Sequence, residues 1–551
     1  MNKIKKLQIT VACLSITTVI LSIRQSSLGF IILGVAVLLF TTIRGSQVGI
    51  AGLAISTILL FPGAQAGWLY RRGSHNAAYV AMQIQENGWP LTIDVVRRAF
   101  PATPLLHMLT IVLSKVTNLS IMPGPTGQTL ITYLLSIILP AMAVIMVAAI
   151  AHRYSKAPIS LALLPVLAWI PGFIDKTAFN RQSFGFVIFL IVALICVRQV
   201  SGSKGWRWKI LLILSIVTLV GGHHFSAIMG LLIIAIAGMT SVTAKCLETG
   251  KFKLTSGYQF GVVFLLGVSV FATWFIIQGL GAGLIVSLLV VDPFTSPNVP
   301  EWIIEQSVTP SQISMILSGP ALWLFQVVLA IGCMSLLYIA ISDDKQFRPV
   351  LFVTFVGATI AVLGVLSRFI TVNTLARIFT FFVFVGGWAA IDGYQQIQTE
   401  HRWLKRLPTI AVTILLVIGI MSVPIYYVSD VQPTYENRET DQQYPSHLYA
   451  TGDFLSDYPT EKSLLIGDDN VEHVVGTQAS MPTEQRGETI SQGRIPEEGV
   501  LVLRDYNNEL YFGSTVEFNY FAIKIGDKYE TLNRRNTMIY DNGNESILLN
   551  K

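Results

Sequence analysis

The residues best suited to chemistry are concentrated in one polar segment, residues 69–120, between long apolar runs. Its guanidinium, imidazole, amide and carboxylate groups belong to Arg71, Arg72, His75, Asn76, Glu86, Asp94, Arg97, Arg98 and His107. Guanidinium groups suit paired hydrogen bonds to phosphate, and an imidazole or a carboxylate can act as a general base. If the middle of the segment is helical, as its composition favours, Asn76, Val80 and Gln83 share one face. The alternative is that the arginines contact lipid headgroups and His75 caps the helix.

Two adjacent histidines, His223 and His224, follow Gly221-Gly222 between two apolar runs. The glycines predict a helix break, and the histidines indicate a tight turn at the membrane surface. A neutral imidazole is the commonest side-chain metal ligand. Neighbouring positions on a helix face in different directions, however, so the pair rarely binds one ion. The pair therefore suggests phosphate or substrate binding, with a polar helix junction exposed to headgroups as the alternative.

Three further arginines, Arg181, Arg368 and Arg377, lie in short polar segments expected on the outer side of the membrane. Lys and Arg are normally enriched in cytoplasmic loops, so outward arginines indicate a negatively charged ligand. A lipid-linked phosphate would supply one, and ordinary headgroups are the alternative. No nucleotide-binding loop, zinc-protease motif, nucleophile elbow or Cys/His zinc spacing occurs in the chain. We therefore expect no cofactor, and no metal site.

The composition identifies an integral membrane protein. Of 551 residues, 52% are hydrophobic and 13% charged, against about 25% charged in soluble domains. Residues 428–551 hold 10 Lys and Arg and 21 Asp and Glu, and the remainder holds 28 and 11. The excess of Lys and Arg over Asp and Glu thus lies in the membrane part, so it does not indicate a protein that binds nucleic acid. A crossing helix needs about 20 apolar residues, and thirteen segments are predicted to cross: 8–23, 28–43, 48–67, 128–151, 158–174, 184–200, 209–222, 225–243, 257–279, 320–341, 349–367, 376–397 and 408–427.

The basic loops orient these spans, because Lys and Arg stay on the cytoplasmic side. With the N-terminus inside, that side receives Lys3, Lys5, Lys6, Arg153, Lys156, Arg198, Lys204, Arg207, Lys209, Lys245, Lys251, Lys253, Arg402, Lys405 and Arg406. The outer side then receives 69–127, 175–183, 223–224, 280–319, 368–376 and the tail. This orientation requires that 104–117 does not cross. At about 14 residues it is short for a span, so we interpret it as a helix at the outer interface.

The predicted fold is mainly α: a polytopic helical membrane domain, residues 1–427, located in the cell membrane. Residues 428–551 are predicted to form a small extracytoplasmic α+β domain that is rich in β-structure. Short β-rich runs separated by Gly, Asn, Asp and Pro turns occur at 463–468, 499–505, 511–526 and 536–543. Apolar residues at helical spacing predict a helix at 447–458.

The first outer loop resembles that of GT-C-type multi-span membrane glycosyltransferases. In that family a small-residue helix, a glycine and a proline-containing corner precede an apolar helix. Here Ser74-His75-Asn76-Ala77-Ala78, Gly88-Trp89-Pro90 and Phe100-Pro101-Ala102-Thr103-Pro104-Leu105-Leu106 stand in that order. The whole chain is also similar to multipass archaeal proteins in which a histidine pair ends a mid-chain span. In those proteins the C-terminal domain closes with a strand like Met538-Ile539-Tyr540-Asp541-Asn542-Gly543.

The resemblance implies transfer of a sugar from a polyprenyl-phosphate donor to a glycan or protein acceptor at the outer membrane surface. In such a reaction a carboxylate takes the acceptor proton and cationic groups stabilise the departing phosphate. The family's acidic residue early in the loop is missing here, and His75-Asn76 takes its place. The nearest carboxylates are Glu86 and Asp94, so either His75 acts as the base, or Asp94 reaches the site, or catalysis has been lost. The loop has no paired aspartates that would hold a divalent metal.

Two other classes of function are compatible with the sequence. A transporter or flippase of lipid-linked glycans would have many spans, but it should also show charges at mid-membrane depth. The predicted spans are almost free of charge at their centres. A non-catalytic cell-envelope protein would use its outer tail to bind another protein or a glycan. The main hypothesis is the glycosyltransferase, with membrane lipids as its surroundings.

Overall fold

The computed structural model describes parts of both the membrane region and the tail. The described residues are 72–88, 103–121, 181–202, 205–277, 446–458, 464–468, 471–484, 499–504, 510–513, 521–524, 527–541 and 545–550, with isolated residues elsewhere. Several predicted segments lie outside these ranges: the spans 8–23, 28–43, 48–67, 128–151, 158–174, 320–341, 349–367, 376–397 and 408–427, and the outer segments 280–319 and 368–376.

Two helices of the segment 69–127 pack against each other: α1, Arg72–Asn87, and α2, Leu105–Thr117. The predicted helices at 74–87 and 104–117 are therefore confirmed. At a rise of about 1.5 Å per residue α2 is roughly 20 Å long, shorter than the about 30 Å of a bilayer core. One face of α2 is buried, and Met108, Val112 and Val116 are exposed on the other. This apolar outer face is what an interfacial helix would turn towards lipid.

Four consecutive helices form a bundle: α3, Arg181–Val200; α4, Trp206–Gly222; α5, His224–Thr249; and α6, Tyr258–Ile277. They overlap the predicted spans 184–200, 209–222, 225–243 and 257–279, and α5 continues six residues beyond its predicted end. Within the described part of the chain, α3, α5 and α6 are the helices that are long and apolar enough to cross a membrane. The protein is thus mainly helical with apolar helices, as its composition predicts.

Small residues allow the bundle helices to approach closely. A Cβ on Gly230 would lie 2.5 Å from Leu219 Cδ1, and one on Gly267 would lie 2.6 Å from Leu231 Cδ2. An alanine at either position would force the facing leucine side chain to move, so glycine favours close packing here, as is common where membrane helices pack without a hydrophobic driving force. The outward side chains remain apolar; Leu265, for example, is 66% exposed. Such a surface is suited to lipid.

A single residue separates α4 from α5. His223 is extended, with φ −166° and ψ 122°, while α4 ends at Gly222 and α5 begins at His224. The helix break predicted from the glycines is confirmed. Its tightness matters for the site, because it brings the first turn of α5 next to the last turn of α4.

The described part of the tail contains a five-stranded mixed sheet, a two-stranded hairpin and helices. The elements are α7, Ser446–Asp457; β1, Leu464–Ile466; a π-helix, Val471–Val475; α8, Gly476–Gln478; β2, Thr483–Glu484; β3, Gly499–Arg504; β4, Leu510–Gly513; β5, Phe521–Lys524; α9, Asp527–Arg535; β6, Asn536–Asp541; and β7, Glu545–Asn550. The sheet order is β2-β1-β3-β7-β6, and β4 pairs with β5. β1 is parallel to β2 and β3, whereas β7 is antiparallel to β3 and β6.

Both faces of this sheet are covered, because alternate strand residues point to opposite sides. Leu501 and Leu503 enter one apolar cluster, which includes Leu532 of α9. Val500 and Val502 enter the other cluster, together with residues of α7 and the π-helix. The sheet is therefore the middle layer of three. The π-helix and α8 lie on the side of the sheet that faces α1, and both contact that helix.

Candidate functional site

Three helix N-termini meet beside the α4–α5 break. Arg181, the first residue of α3, donates a 2.8 Å hydrogen bond from Nη1 to Oγ1 of Thr103, just before α2. A Cβ on Gly185 of α3 would lie 2.7 Å from His223 Cβ at the start of α5, and one on Gly221 would lie 3.1 Å from Leu105 Cδ1. We call this place the N-terminal junction.

The electrostatics of the N-terminal junction favour an anion. Each helix N-terminus carries about half a positive charge, because its first N–H groups lack intrahelical partners. The C-terminus of α4 lies here too and opposes this field. Among the residues that the structure describes here, the three N-termini and the Arg181 guanidinium outweigh that one C-terminus. The arrangement is chemically suited to phosphate, for which helix N-termini and guanidinium groups are the usual protein partners.

Thr103 orients Arg181. Its side chain is 1% exposed, so its hydroxyl is held within the protein and fixes the direction of the guanidinium that donates to it. The sequence analysis identified Arg181 but missed Thr103. Its position just before the proline that precedes α2 was the available signal, since threonine favours the start of a helix.

His107 ties α2 to α1. Its ring is fully buried and its Nδ1 lies 2.9 Å from the carbonyl oxygen of Ala77. Because a carbonyl only accepts, Nδ1 carries the proton and donates it. His107, predicted to bind phosphate, thus fixes the position of the first part of α1, next to His75 and Asn76.

His223 caps α5. The backbone N–H of Ser226 donates to His223 Nδ1 at 3.3 Å, and the Ser226 hydroxyl lies 2.8 Å from the same atom. Nδ1 is therefore the acceptor, which places the ring proton of the neutral imidazole on Nε2. Ser226 was missed in the sequence, because the recognised capping signal is Ser or Thr followed three positions later by Glu or Gln, which His223 and Ser226 do not match. His223 is 8% exposed.

The two histidine rings lie side by side. Their centroids are 4.9 Å apart, and the His224 ring contacts Phe275 of α6 edge-on at 6.1 Å. The expectation that the side chains diverge, as at adjacent helical positions, was wrong, because His223 is extended and precedes the helix. The described residues hold no group of three potential metal ligands.

The remaining predicted residues fall into three groups. Arg72, His75 and Asn76 lie in the first two turns of α1. Glu86 lies near the opposite end of α1, roughly 16 Å from His75 at the helical rise, so the structure does not bring it to the N-terminal junction. Arg71, Asp94, Arg368 and Arg377 lie outside the described residues.

Glu86 instead lines an open cleft between the C-terminal ends of α1 and α2. The cleft has a volume of about 480 Å³ and is lined by Met82, Gln85, Glu86, Ser114, Lys115, Asn118, Leu119, Ser120 and Ile121. Its charged groups, Glu86 and Lys115, have opposite signs. The two ends of the α1–α2 pair therefore differ in chemistry, with imidazole and guanidinium groups confined to the end near the N-terminal junction.

Comparison with known proteins gives structural matches only. No family model and no curated protein matches the sequence. The chain is similar to ArnT from Cupriavidus metallidurans bound to undecaprenyl phosphate, with 12% identity and a TM-score of 0.48, over 87% of this chain and 98% of that one. It is also similar to the apo oligosaccharyltransferase of Archaeoglobus fulgidus, with 10% identity and a TM-score of 0.46, over 78% of this chain and 64% of that one. These neighbours are of the GT-C class that the sequence resembles.

Proposed function

We propose that this protein is a GT-C-type membrane glycosyltransferase that transfers a sugar from a polyprenyl-phosphate donor to an acceptor at the outer membrane surface. The donor phosphate would bind at the N-terminal junction. The observation that carries the proposal is the Arg181–Thr103 hydrogen bond at the point where α2, α3 and α5 begin. It places an oriented guanidinium at the convergence of three helix N-termini.

This arrangement suits the difficult part of the reaction. When the bond between the sugar and the phosphate breaks, negative charge develops on the departing phosphate oxygens. Fixed donors aimed at developing charge stabilise a transition state without reorganisation. Arg181, the helix N-termini and the Nε2–H of His223 would act in this way. His224, Arg71, Arg72, Asn76, His107, Arg368 and Arg377 are the further proposed donors or positioning groups.

His75 is the proposed general base, with Asp94 as the alternative. His75 lies in α1 two residues before Ala77, whose carbonyl group is held by His107. An imidazole accepts a proton near neutral pH, which suits removal of the acceptor hydroxyl proton. Glu86 is the weakest of the three predicted bases, because it lies at the other end of α1.

The proposed arrangement in the membrane follows the charge distribution. The N-terminus and basic loops are cytoplasmic, and the loop 69–127 and residues 428–551 face outward. About thirteen helices of residues 1–427 cross the membrane. In this arrangement α2 lies at the outer interface with its exposed face in lipid, where polyprenyl chains also lie.

The test is consumption of a lipid-linked donor in membranes that contain the protein. A panel of polyprenyl-phosphate hexoses is incubated with wild type, His75→Ala, Asp94→Ala and Arg181→Gln, and release of polyprenyl phosphate is measured. Arg534→Gln is the matched control, because Arg534 is 80% exposed in α9 and pairs only locally with Glu530. We expect Arg181→Gln, and one of the two base variants, to lower turnover at least about 100-fold.

Turnover that is unchanged in all three variants would refute the site. Movement of the intact donor across vesicle membranes without its consumption would instead support the flippase alternative. Equal losses in Arg534→Gln and Arg181→Gln would show that the effect comes from stability and not from the site.

A further inference from the structure

The middle of α1 is enclosed on all sides. Five consecutive residues from Ala77 to Ala81 are at most 2% exposed. Consecutive helical positions differ by about 100°, so five of them cover the whole circumference. A helix that packed on one partner would leave every third or fourth position exposed. α2 covers one side through His107, and a second partner must cover the rest.

The second partner is the C-terminal domain. The Tyr79 hydroxyl lies 3.1 Å from Oγ of Ser480, although the two residues are 401 positions apart in the chain. The π-helix and α8 both pack against α1. Tyr79 itself is 2% exposed, whereas Ser480 is exposed, so the hydrogen bond is partly buried and lies at the edge of the interface.

Ser480 is presented by a turn with little freedom. The N–H of Met481 donates to the carbonyl of Gly476 at 2.9 Å, and the N–H of Ala479 donates to that of Val475 at 2.8 Å. Ser480 has φ +54°, the left-handed region that a residue with a Cβ adopts only at a cost. Strained conformations of this kind persist where the surroundings impose them and often mark functional positions.

Packing below the turn holds it further. A Cβ on Gly476 would collide with Oγ1 of Thr483. Gln478 Nε2 donates a 2.6 Å hydrogen bond to Asp453 of α7. The turn is thus attached to the body of its own domain, and a displacement of that domain would displace Ser480.

We infer that Tyr79 is a positioning residue through which the C-terminal domain holds α1 in place. Ala77 is hydrogen-bonded to His107, and Tyr79 is hydrogen-bonded to Ser480. These two contacts, within three residues of α1, fix both the position of the helix along its axis and its rotation about that axis. α1 carries His75 and Asn76 one turn earlier. By holding α1, the tail completes the site. The contact between Tyr79 and Ser480 does not depend on the proposed function, whereas its consequence for catalysis rests on it.

The experiment measures amide hydrogen exchange of peptide 72–88 in the full-length protein in nanodiscs. The variants are Tyr79→Phe and Ser480→Gly, with Tyr458→Phe as the matched control because Tyr458 is 66% exposed in the same domain. Ser480→Gly removes the hydroxyl and also removes the cost of the positive φ, because glycine adopts this conformation readily. A change in exchange would therefore come from the lost hydrogen bond and not from misfolding of the turn. Binding of undecaprenyl phosphate is measured in parallel.

We expect exchange of peptide 72–88 to be about 5-fold faster in Tyr79→Phe and in Ser480→Gly, the change expected for one lost hydrogen bond. Tyr458→Phe should match wild type, and exchange within β3 should be unchanged in all variants. Unchanged exchange of peptide 72–88 in both variants would overturn the inference. Faster exchange in both variants would support the inference even if the wild-type protein bound no undecaprenyl phosphate. The absence of lipid binding by wild type would then refute only the proposed lipid-phosphate site.

Discussion

Replacing Gly185 with alanine tests directly whether α3 and α5 meet at the candidate site. The added methyl group would lie 2.7 Å from His223 Cβ and 2.9 Å from Ser226 Cβ, and it would also meet the Ser226 hydroxyl. Ordinary contacts between carbon atoms are about 3.5–4.0 Å. The two helices must therefore separate by roughly 1 Å at the residue that caps α5.

Two opposing effects decide the stability of the Gly185→Ala variant. Alanine is favoured over glycine in a helix by about 1 kcal/mol. Overpacking of a close interface costs about 1–3 kcal/mol. The atoms in contact are a β-carbon on each side, and neither can rotate away, so the upper part of that range applies. We expect a net loss of about 1–2 kcal/mol.

The assay combines thermal unfolding in detergent with binding of undecaprenyl phosphate. Gly261→Ala in α6 is the matched control, because a Cβ there would meet nothing within 4 Å. We expect Gly185→Ala to unfold at a lower temperature than wild type and to bind the lipid at least about 10-fold more weakly, since a 1 Å displacement moves hydrogen-bonding groups out of range. Gly261→Ala should unfold at the wild-type temperature or above it, because alanine is the better helix former, and should bind the lipid as wild type does. Identical behaviour of the two variants would refute the described contact between α3 and the start of α5.

Three more outcomes follow from the same geometry. Arg181→Lys keeps the charge but loses the planar fork, so its Kd for undecaprenyl phosphate should rise about 10-fold in a nanodisc titration. His223→Asn should keep the melting temperature, because asparagine also caps helices, whereas His223→Ala should lose about 1 kcal/mol of stability; both should bind the lipid less well. Burial raises the pKa of Tyr79 above its ordinary value of 10.0, the Glu86 charge raises it further, and the Ser480 bond acts in the opposite direction. At a pH where Tyr79 of the unfolded chain has lost its phenolic proton, the folded protein therefore still holds it. The contribution of the protonated Tyr79 to stability is present below pH 10 and is lost as the pH rises above it. Thermal unfolding at pH 9 and pH 11 should show this loss, and Tyr79→Phe should reduce it.

Each of these outcomes has a result that would contradict it. Full lipid binding by Arg181→Lys would show that only charge matters at that position. Wild-type lipid affinity in His223→Asn would limit His223 to capping. An equal loss of stability between pH 9 and pH 11 in wild type and Tyr79→Phe would mean that another group causes it.

The helices of the described region could be predicted because their signals are local. Runs of apolar residues predict membrane helices, and they placed α3, α4 and α6 within three residues of their observed limits, whereas α5 continues six residues beyond its predicted end. The break at Gly221-Gly222 was predictable for the same reason. Arg181 and His223 could be identified as candidates, since polar groups at the ends of apolar runs are conspicuous. These inferences need only the composition of about 20 neighbouring residues.

The contacts that make a site carry no such signal. Arg181 meets Thr103 across 78 residues, and the paired histidine rings depend on one extended residue, His223. Glu86, a plausible base in the sequence, lies at the wrong end of α1 for the N-terminal junction. The sequence determined which described segments are helical and which residues are candidates for binding phosphate. The tertiary structure alone decided which of them meet and how the tail reaches Tyr79, because long-range packing depends on how helices are arranged and not on the residues beside each position.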